Sequence, residues 1–317
     1  MKLQWIGGAG KMKKNSSIMK SVLVVILFLG LCVGPVPFSG TASATEGGGG
    51  HYPNGVEDFM SGALPPPGTY FLNYLTYYRA GSFKDQNGND LVPKFDLDVW
   101  ANTFRLVHVT KYRFLGASWA MHAFLPLVYM DLSATFGEDD RTGVGDIIVD
   151  PCILGWHSKN FHVITGLDIY VPTGSYDENR LANAGRNYWT FEPVFAMTYL
   201  ADNGIELSGK FMYAINTKNK DTEYKSGQEF HVDYTVAYHV SKELAVGVGG
   251  YYYYQTTDDK QNGVKVADGF KGRVISVGPQ ASYNYKNMFF TLKWLKEFDA
   301  ENRPEGNNFV FKVMYAF

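Results

Sequence analysis

From about residue 69 onward the chain repeats one pattern. Ten to fifteen residues alternate apolar with polar, turn residues follow, and the alternation resumes. Side chains alternate with a period of two only on a β-strand. Strands are predicted to begin near Thr69, Asp96, Ala117, Gly143, Phe161, Tyr188, Ile205, Gln228, Leu244, Arg273, Phe289 and Asn308. The gaps between them carry no amphipathic helix of useful length. They alternate in size: "KYRFLG" at 111–116, "SKN" at 158–160, "ADN" at 201–203, "SKE" at 241–243 and "KN" at 286–287 are short. Those at 80–95, 134–142, 173–186, 217–226, 256–272 and 299–307 are long and polar. A soluble sandwich has no reason to sort its connections this way. A transmembrane antiparallel β-barrel does, with short periplasmic turns and long extracellular loops. The fold class predicted is therefore all-β, a closed barrel of about 12 strands, with both termini periplasmic and the protein in the outer membrane of a Gram-negative cell.

Closure is a physical requirement. Lipid offers no hydrogen-bond partner, so a spanning sheet must leave no open edge. The final segment, "NNFVFKVMYAF", is an alternating strand ending on an aromatic residue and is predicted to pair with the first strand. Phe317 is the predicted assembly signal, read by the barrel-assembly machinery; that machinery and outer-membrane lipid are the expected partners.

Alternation also divides the strands into two faces. A Lys or Arg on the lipid face costs about 2–4 kcal/mol at mid-bilayer. The charged parity is thus expected to face the lumen, placing Asp98, Asp146, Asp150, Asp168, Glu192, Glu206, Glu229, His231 and Asp233 there with Lys210, Lys293 and Lys312. Such a set serves as a ladder of ion pairs or as an acidic conduit that disfavours anions. In "FDLDVWANTFRLVHV", Arg105 shares the parity of Leu97 and Val99, which implies a bulge or an interfacial position. In "GGYYYYQ" only every second tyrosine can face the lumen; the others suit an interfacial girdle.

The N-terminal residues read as an export signal. Five lysines and no acid lie in residues 1–44, with an apolar run from Val22 to Val33 and small residues at Ala42 and Ala44. Cleavage before Thr45 is expected, with the start codon at Met1 or Met12. Removing those lysines from 29 bases against 31 acids leaves 24 against 31, a net charge of −7. That excess of acid argues against nucleic-acid binding. Cys152 is then the only cysteine, so no internal disulfide forms. Residues 45–68, rich in Gly and Pro, form a leader that is either disordered or a plug. In the second case Phe59 and Met60 would lie against His122, Phe124 and Val128 at the periplasmic end, and the barrel proper would occupy 69–317.

Catalytic readings are weak. His231 and Asp233 share a face, but barrel lumens hold such pairs without chemistry. His157 and Ser158 are adjacent and so point to opposite faces. The histidines show no metal-ligand spacing, and "GVGD" lacks the rest of a dinucleotide fingerprint. No enzyme activity, cofactor or metal is expected.

The stretches "GALPPPGTYFLNYLTYY" at 62–78, "GVGDIIVDPCILGW" at 143–156 and "LDIYVPTGSYD" at 167–177 resemble the outer-membrane proteins linked to the phenol meta-cleavage pathway, the SphA-like family. The resemblance implies a barrel that takes up aromatic or other hydrophobic compounds and brings no catalytic residues. The expected function is a channel for small hydrophobic or aromatic compounds. The alternatives are a structural or adhesive barrel with a filled lumen and a porin-like channel for small polar solutes.

Overall fold

A computed structural model describes residues 46–135 and 137–317; the expected signal peptide lies outside the described residues. After a 3-10 turn at Glu46–Gly48, the chain runs β1 (Gly68–Phe83), β2 (Asp96–Phe114), β3 (Ala117–Ala134), β4 (Gly137–Val144), β5 (Ile147–His157) and β6 (Phe161–Val171). It continues through β7 (Thr190–Leu200), β8 (Ile205–Asn216), β9 (Tyr224–Lys225), β10 (Glu229–His239) and β11 (Leu244–Gln255). The last elements are β12 (Lys260–Gln261), β13 (Val264–Lys265), β14 (Arg273–Tyr285), β15 (Met288–Glu301) and β16 (Pro304–Ala316). The three two-residue strands β9, β12 and β13 pair with one another in the loops. The others form one antiparallel sheet that closes on itself.

Closure is made by the last strand, as its alternation requires. β16 pairs with β1 from Tyr70↔Ala316 to Phe83↔Pro304, and with β15 on its other side. The ring has twelve positions, because β4 and β5 both pair with β3 and together make one interrupted stave. At the interruption the Gly145 amide donates to the Pro126 carbonyl at 2.9 Å. Among the described residues, the outer edge of β4 has no neighbouring strand. The segment after β6 covers it: the Ser175 amide donates to the Val144 carbonyl at 2.8 Å, and Arg180 pairs with Asp139. Gly174 and Gly185 let two backbones meet in this cover, since a Cβ on either would lie 2.6 Å from the other residue.

The turn and loop ends are distinct. Two residues with positive φ, Leu115 and Gly116, join β2 to β3 in the tight hairpin geometry that matches strand twist. Similarly short turns follow β5, β7, β10 and β14. At the other end, long connections follow β1, β6, β8 and β11. Two expectations are corrected there. Residues 134–142 and 299–307 are not long loops; they are mostly strand, with hairpin pairs such as Ser133↔Glu138 and tight turns. Strands that rise beyond the lipid meet water on both faces, so polar composition no longer distinguishes strand from loop.

The two-faced reading holds for most staves. In β8, Ile205, Leu207, Phe211 and Ile215 are exposed outward, and Glu206, Ser208, Lys210 and Asn216 are buried inward. Tyr251 and Tyr253 point inward and are buried, whereas Tyr252 and Tyr254 stack outside with ring centroids 6.5 Å apart. In β2 the expected faces are exchanged. Register places Arg105 opposite Leu72 and Thr103 opposite Tyr74, on the lumen side, so no bulge is needed. Asp98 therefore points outward, and its assignment to the lumen is corrected. It accepts a hydrogen bond from the Tyr77 hydroxyl and lies 3.5 Å from Arg79, near the loop end of the wall.

Lysine at Phe211 or Val277, both outward, is expected to destabilise the barrel by about 2–4 kcal/mol if the site lies at mid-bilayer. Denaturant titration of protein folded into vesicles measures this; wild-type stability in both variants would contradict the assigned faces.

Candidate functional site

The lumen is built around the chain's own N-terminal segment. Residues 46–67 enter beside the long loops and run along the interior to the short-turn end. At the loop end Glu46 accepts from Asn219 Nδ2 at 2.9 Å and from the Tyr176 hydroxyl at 3.3 Å, and its amide donates to Ser226 Oγ at 3.2 Å. At the far end the Gly62 amide donates to Thr198 Oγ1 at 3.0 Å, and Leu64 packs over Gly155. The segment spans the lumen instead of occluding only the short-turn mouth. Its first described residues also lie at the end opposite Phe317, whose amide donates to the Thr69 carbonyl at 3.2 Å. The expectation that both ends of the mature chain share one side is corrected for the described residues.

The middle of the segment shows why it stays. Asp233 on β10 accepts from the Tyr52 hydroxyl at 2.6 Å and from the Gly55 and Glu57 amides at 2.9 and 3.0 Å. Gly55 has φ 82 and passes so close to the wall that a Cβ would lie 2.6 Å from Leu295 and Tyr251. Lys293 donates to the Gly55 carbonyl and, at 2.7 Å, to the Glu57 carbonyl. Glu57 itself lies 3.1 Å from Arg105 and 3.6 Å from Lys210, and Asp58 pairs with Lys312. The four cations Arg105, Lys210, Lys293 and Lys312 come from β2, β8, β15 and β16, so an acid pair in the leader is gripped from several sides. Buried charges are tolerated only when paired and hydrogen-bonded in this way.

The remaining acids divide into two groups. Glu206 binds the segment, accepting from the Met60 amide at 2.6 Å, and also meets Ser208 at 2.6 Å and His239 at 2.7 Å. Asp146 sits at the β4–β5 interruption, meets His51 Nε2 at 2.9 Å, and accepts from the Gly174 and Arg186 amides at 2.8 and 2.7 Å. It thereby ties the strand break, its covering loop and the leader together. Asp150, Asp168, Glu192, Glu229 and His231 are wall residues. Glu192 accepts from the Tyr170 hydroxyl at 3.0 Å and lies 3.0 Å from His231, while Glu229 accepts from Asn216 at 2.8 Å. His231 in turn packs against Tyr52 with the rings tilted, centroids 4.8 Å apart.

Two features were not evident from sequence. Tyr52 and Val56 are the leader's apolar anchors in the core, and the half-buried Leu64 packs against it; Phe59 and Met60 are half-buried outside that cluster. Glu57 and Asp58 are its charged anchors; the "VED" run opposite a lumen poor in cations was the signal available. His122, Asp150 and Asp168 do converge within 4.8 Å of one another, a spacing that can hold a metal. Both His122 nitrogens are already engaged, however, by Arg105 at 2.9 Å and Asp168 at 2.8 Å. Asp150 accepts from the Cys152 and Leu167 amides, each at 2.7 Å. This cluster positions Arg105 for Glu57.

Burial holds the His51 imidazole below the ordinary histidine value of 6.5, against the opposing pull of Asp146. A histidine depressed in the folded state favours docking above 6.5 and opposes it as pH falls below that value. Proteolysis of the leader's upper end is therefore expected to quicken between pH 7 and pH 5, and His51→Gln to flatten that dependence. An unchanged rate across this range would contradict it. Asp233→Ala should free the middle of the leader, since each buried donor left without its acceptor costs about 1–3 kcal/mol. Asp233→Asn keeps one acceptor oxygen and should fall between. Equal protease resistance in wild type and Asp233→Ala would refute this anchor.

Among solved structures, an outer membrane channel from Pseudomonas putida F1 is similar in fold, with a TM-score of 0.74, 16% identity, and coverage of 83% of this chain and 100% of that one. The translocator domain of the autotransporter NalP from Neisseria meningitidis matches at a TM-score of 0.47 and 8% identity over 95% of this chain and 96% of that one. The KdgM porin matches at 0.41 and 10% identity over 77% and 99%. No curated protein sequence matches the chain. The model of the family described as "Putative MetA-pathway of phenol degradation" matches residues 80–313. That match takes in most of the barrel, and the chain belongs to this family.

Proposed function

We propose that the protein is an outer-membrane channel for small hydrophobic or aromatic compounds, closed at rest by residues 46–67, which yield during transport. The long loops then face outside and the short turns the periplasm. The observation that carries this reading is the threaded leader: Arg105, Lys312, Lys293 and Asp233 in the lumen are engaged by Glu57, Asp58, Gly55 and Tyr52. A porin for polar solutes needs those groups free along an aqueous path. The family description, with its reference to phenol degradation, favours hydrophobic cargo, and the similar solved structure is an outer membrane channel. The same filled lumen favours one second reading, a structural or adhesive barrel whose loops do the work.

The test compares single-channel conductance of the full mature protein with a version starting near Pro65, and uptake of a panel of aromatics by a deletion strain carrying either form. Truncation is expected to raise conductance, and a cysteine introduced at Phe59 to label slowly in the full protein. Unchanged conductance together with free labelling overturns the plug. Higher conductance with no effect of the deletion on aromatic uptake points to the structural reading.

A further inference from the structure

The β5–β6 hairpin ends in two histidines that face each other. His157 and His162 are directly opposite in the register, one on each side of the short Ser158–Asn160 turn. The turn is fixed by the Ser158 amide donating to the Phe161 carbonyl at 2.8 Å and by Ser158 Oγ accepting from the Phe161 amide at 3.1 Å. Both rings lie on the lumen side, with Nδ1 to Nδ1 at 3.3 Å and ring centroids 5.3 Å apart. His157 Nε2 is buried and has no hydrogen-bond partner.

That separation is informative. In the absence of an ion, one Nδ1 can donate a long hydrogen bond to the other at this distance. Two imidazole nitrogens bound to one tetrahedral ion at about 2.0–2.1 Å stand about 3.3–3.4 Å apart. The other five of the seven histidines are engaged differently. His51, His122, His231 and His239 face carboxylates, and His108 contacts the Thr69 hydroxyl at 3.0 Å.

We propose that His157 and His162 chelate a divalent transition metal of the kind imidazole favours, such as Zn²⁺, Cu²⁺ or Ni²⁺, with water completing the coordination at the short-turn mouth. The ion would clasp a weak part of the wall. Regular β5–β6 pairing is interrupted between Val149 and Leu154, and only Leu154–His157 hold the hairpin below that point. Leu64 and His157 both pack over Gly155, so the clasp also adjoins the end of the leader.

The experiment uses tag-free mature protein, refolded in detergent and stripped with chelator, titrated with ZnCl₂ by calorimetry at pH 7.5. One ion per barrel is expected, with affinity falling about tenfold or more in His157→Ala or His162→Ala, since either leaves a single imidazole. His108→Ala should bind as wild type does. Cu²⁺ bound to the wild type should show electron-paramagnetic splitting from two nitrogens, and Zn²⁺ should raise the midpoint of heat-modifiable migration in the wild type alone. Heat-modifiable migration also confirms that each variant is folded, and His157→Asn and His162→Asn replace any alanine variant that is not. Absence of saturable binding, or affinity unchanged in both folded histidine variants, overturns the proposal.

Discussion

The interaction on which the rest of this structure depends is the capture of Glu57 and Asp58 by the lumen's cations. A twelve-position barrel leaves an interior that must be filled by side chains, by water or by the chain itself. Here the inward faces carry mostly acids, and the few cations are gathered where the leader passes. Lys312 takes Asp58, Arg105 and Lys210 flank Glu57, and Lys293 takes the backbone carbonyls between them. Asp233 completes the clamp by accepting from three donors of the leader. Removing the segment would leave these groups without those contacts, so its place in the lumen is set by electrostatics as well as by fit.

The same segment reaches the interrupted wall. The break at Gly145 and Asp146 leaves backbone groups that no neighbouring strand satisfies. Asp146 answers this by accepting from two amides of the covering loop while holding His51 of the leader. Wall, loop and leader therefore meet at one carboxylate. A change at any of the three reaches the other two through it, which links the pH response expected of His51 to the integrity of the strand break.

Much of this fold was legible in the sequence. Strand starts at Asp96, Ala117, Phe161, Ile205, Leu244 and Arg273 coincide with those of the structure, because lipid on one side and a polar lumen on the other impose a strict period of two. The pattern failed where that constraint lapses. At the loop end, residues 137–142 and most of 299–307 are polar yet paired. In β2, Asp98 and Arg105 compete for the same face, and composition could not rank them. Register against β1 decides it, by setting Arg105 opposite Leu72.

The site was legible only in part. Inward placement of Lys210, Asp233, Lys293 and Lys312 followed from alternation, a local property of each strand. Their partners did not, because Glu57 and Asp58 lie more than 150 residues from Lys210 and farther still from Lys312. A leader rich in Gly and Pro reads as a spacer until closure of the sheet creates an interior for it to enter. Sequence alone thus determined the two faces of most staves, the strand count and the closing strand, since these are dictated residue by residue by the surrounding solvent. The threading of the leader, the broken fourth stave and the meeting of His157 with His162 were decided by tertiary structure, since each depends on which strands curvature and register bring together.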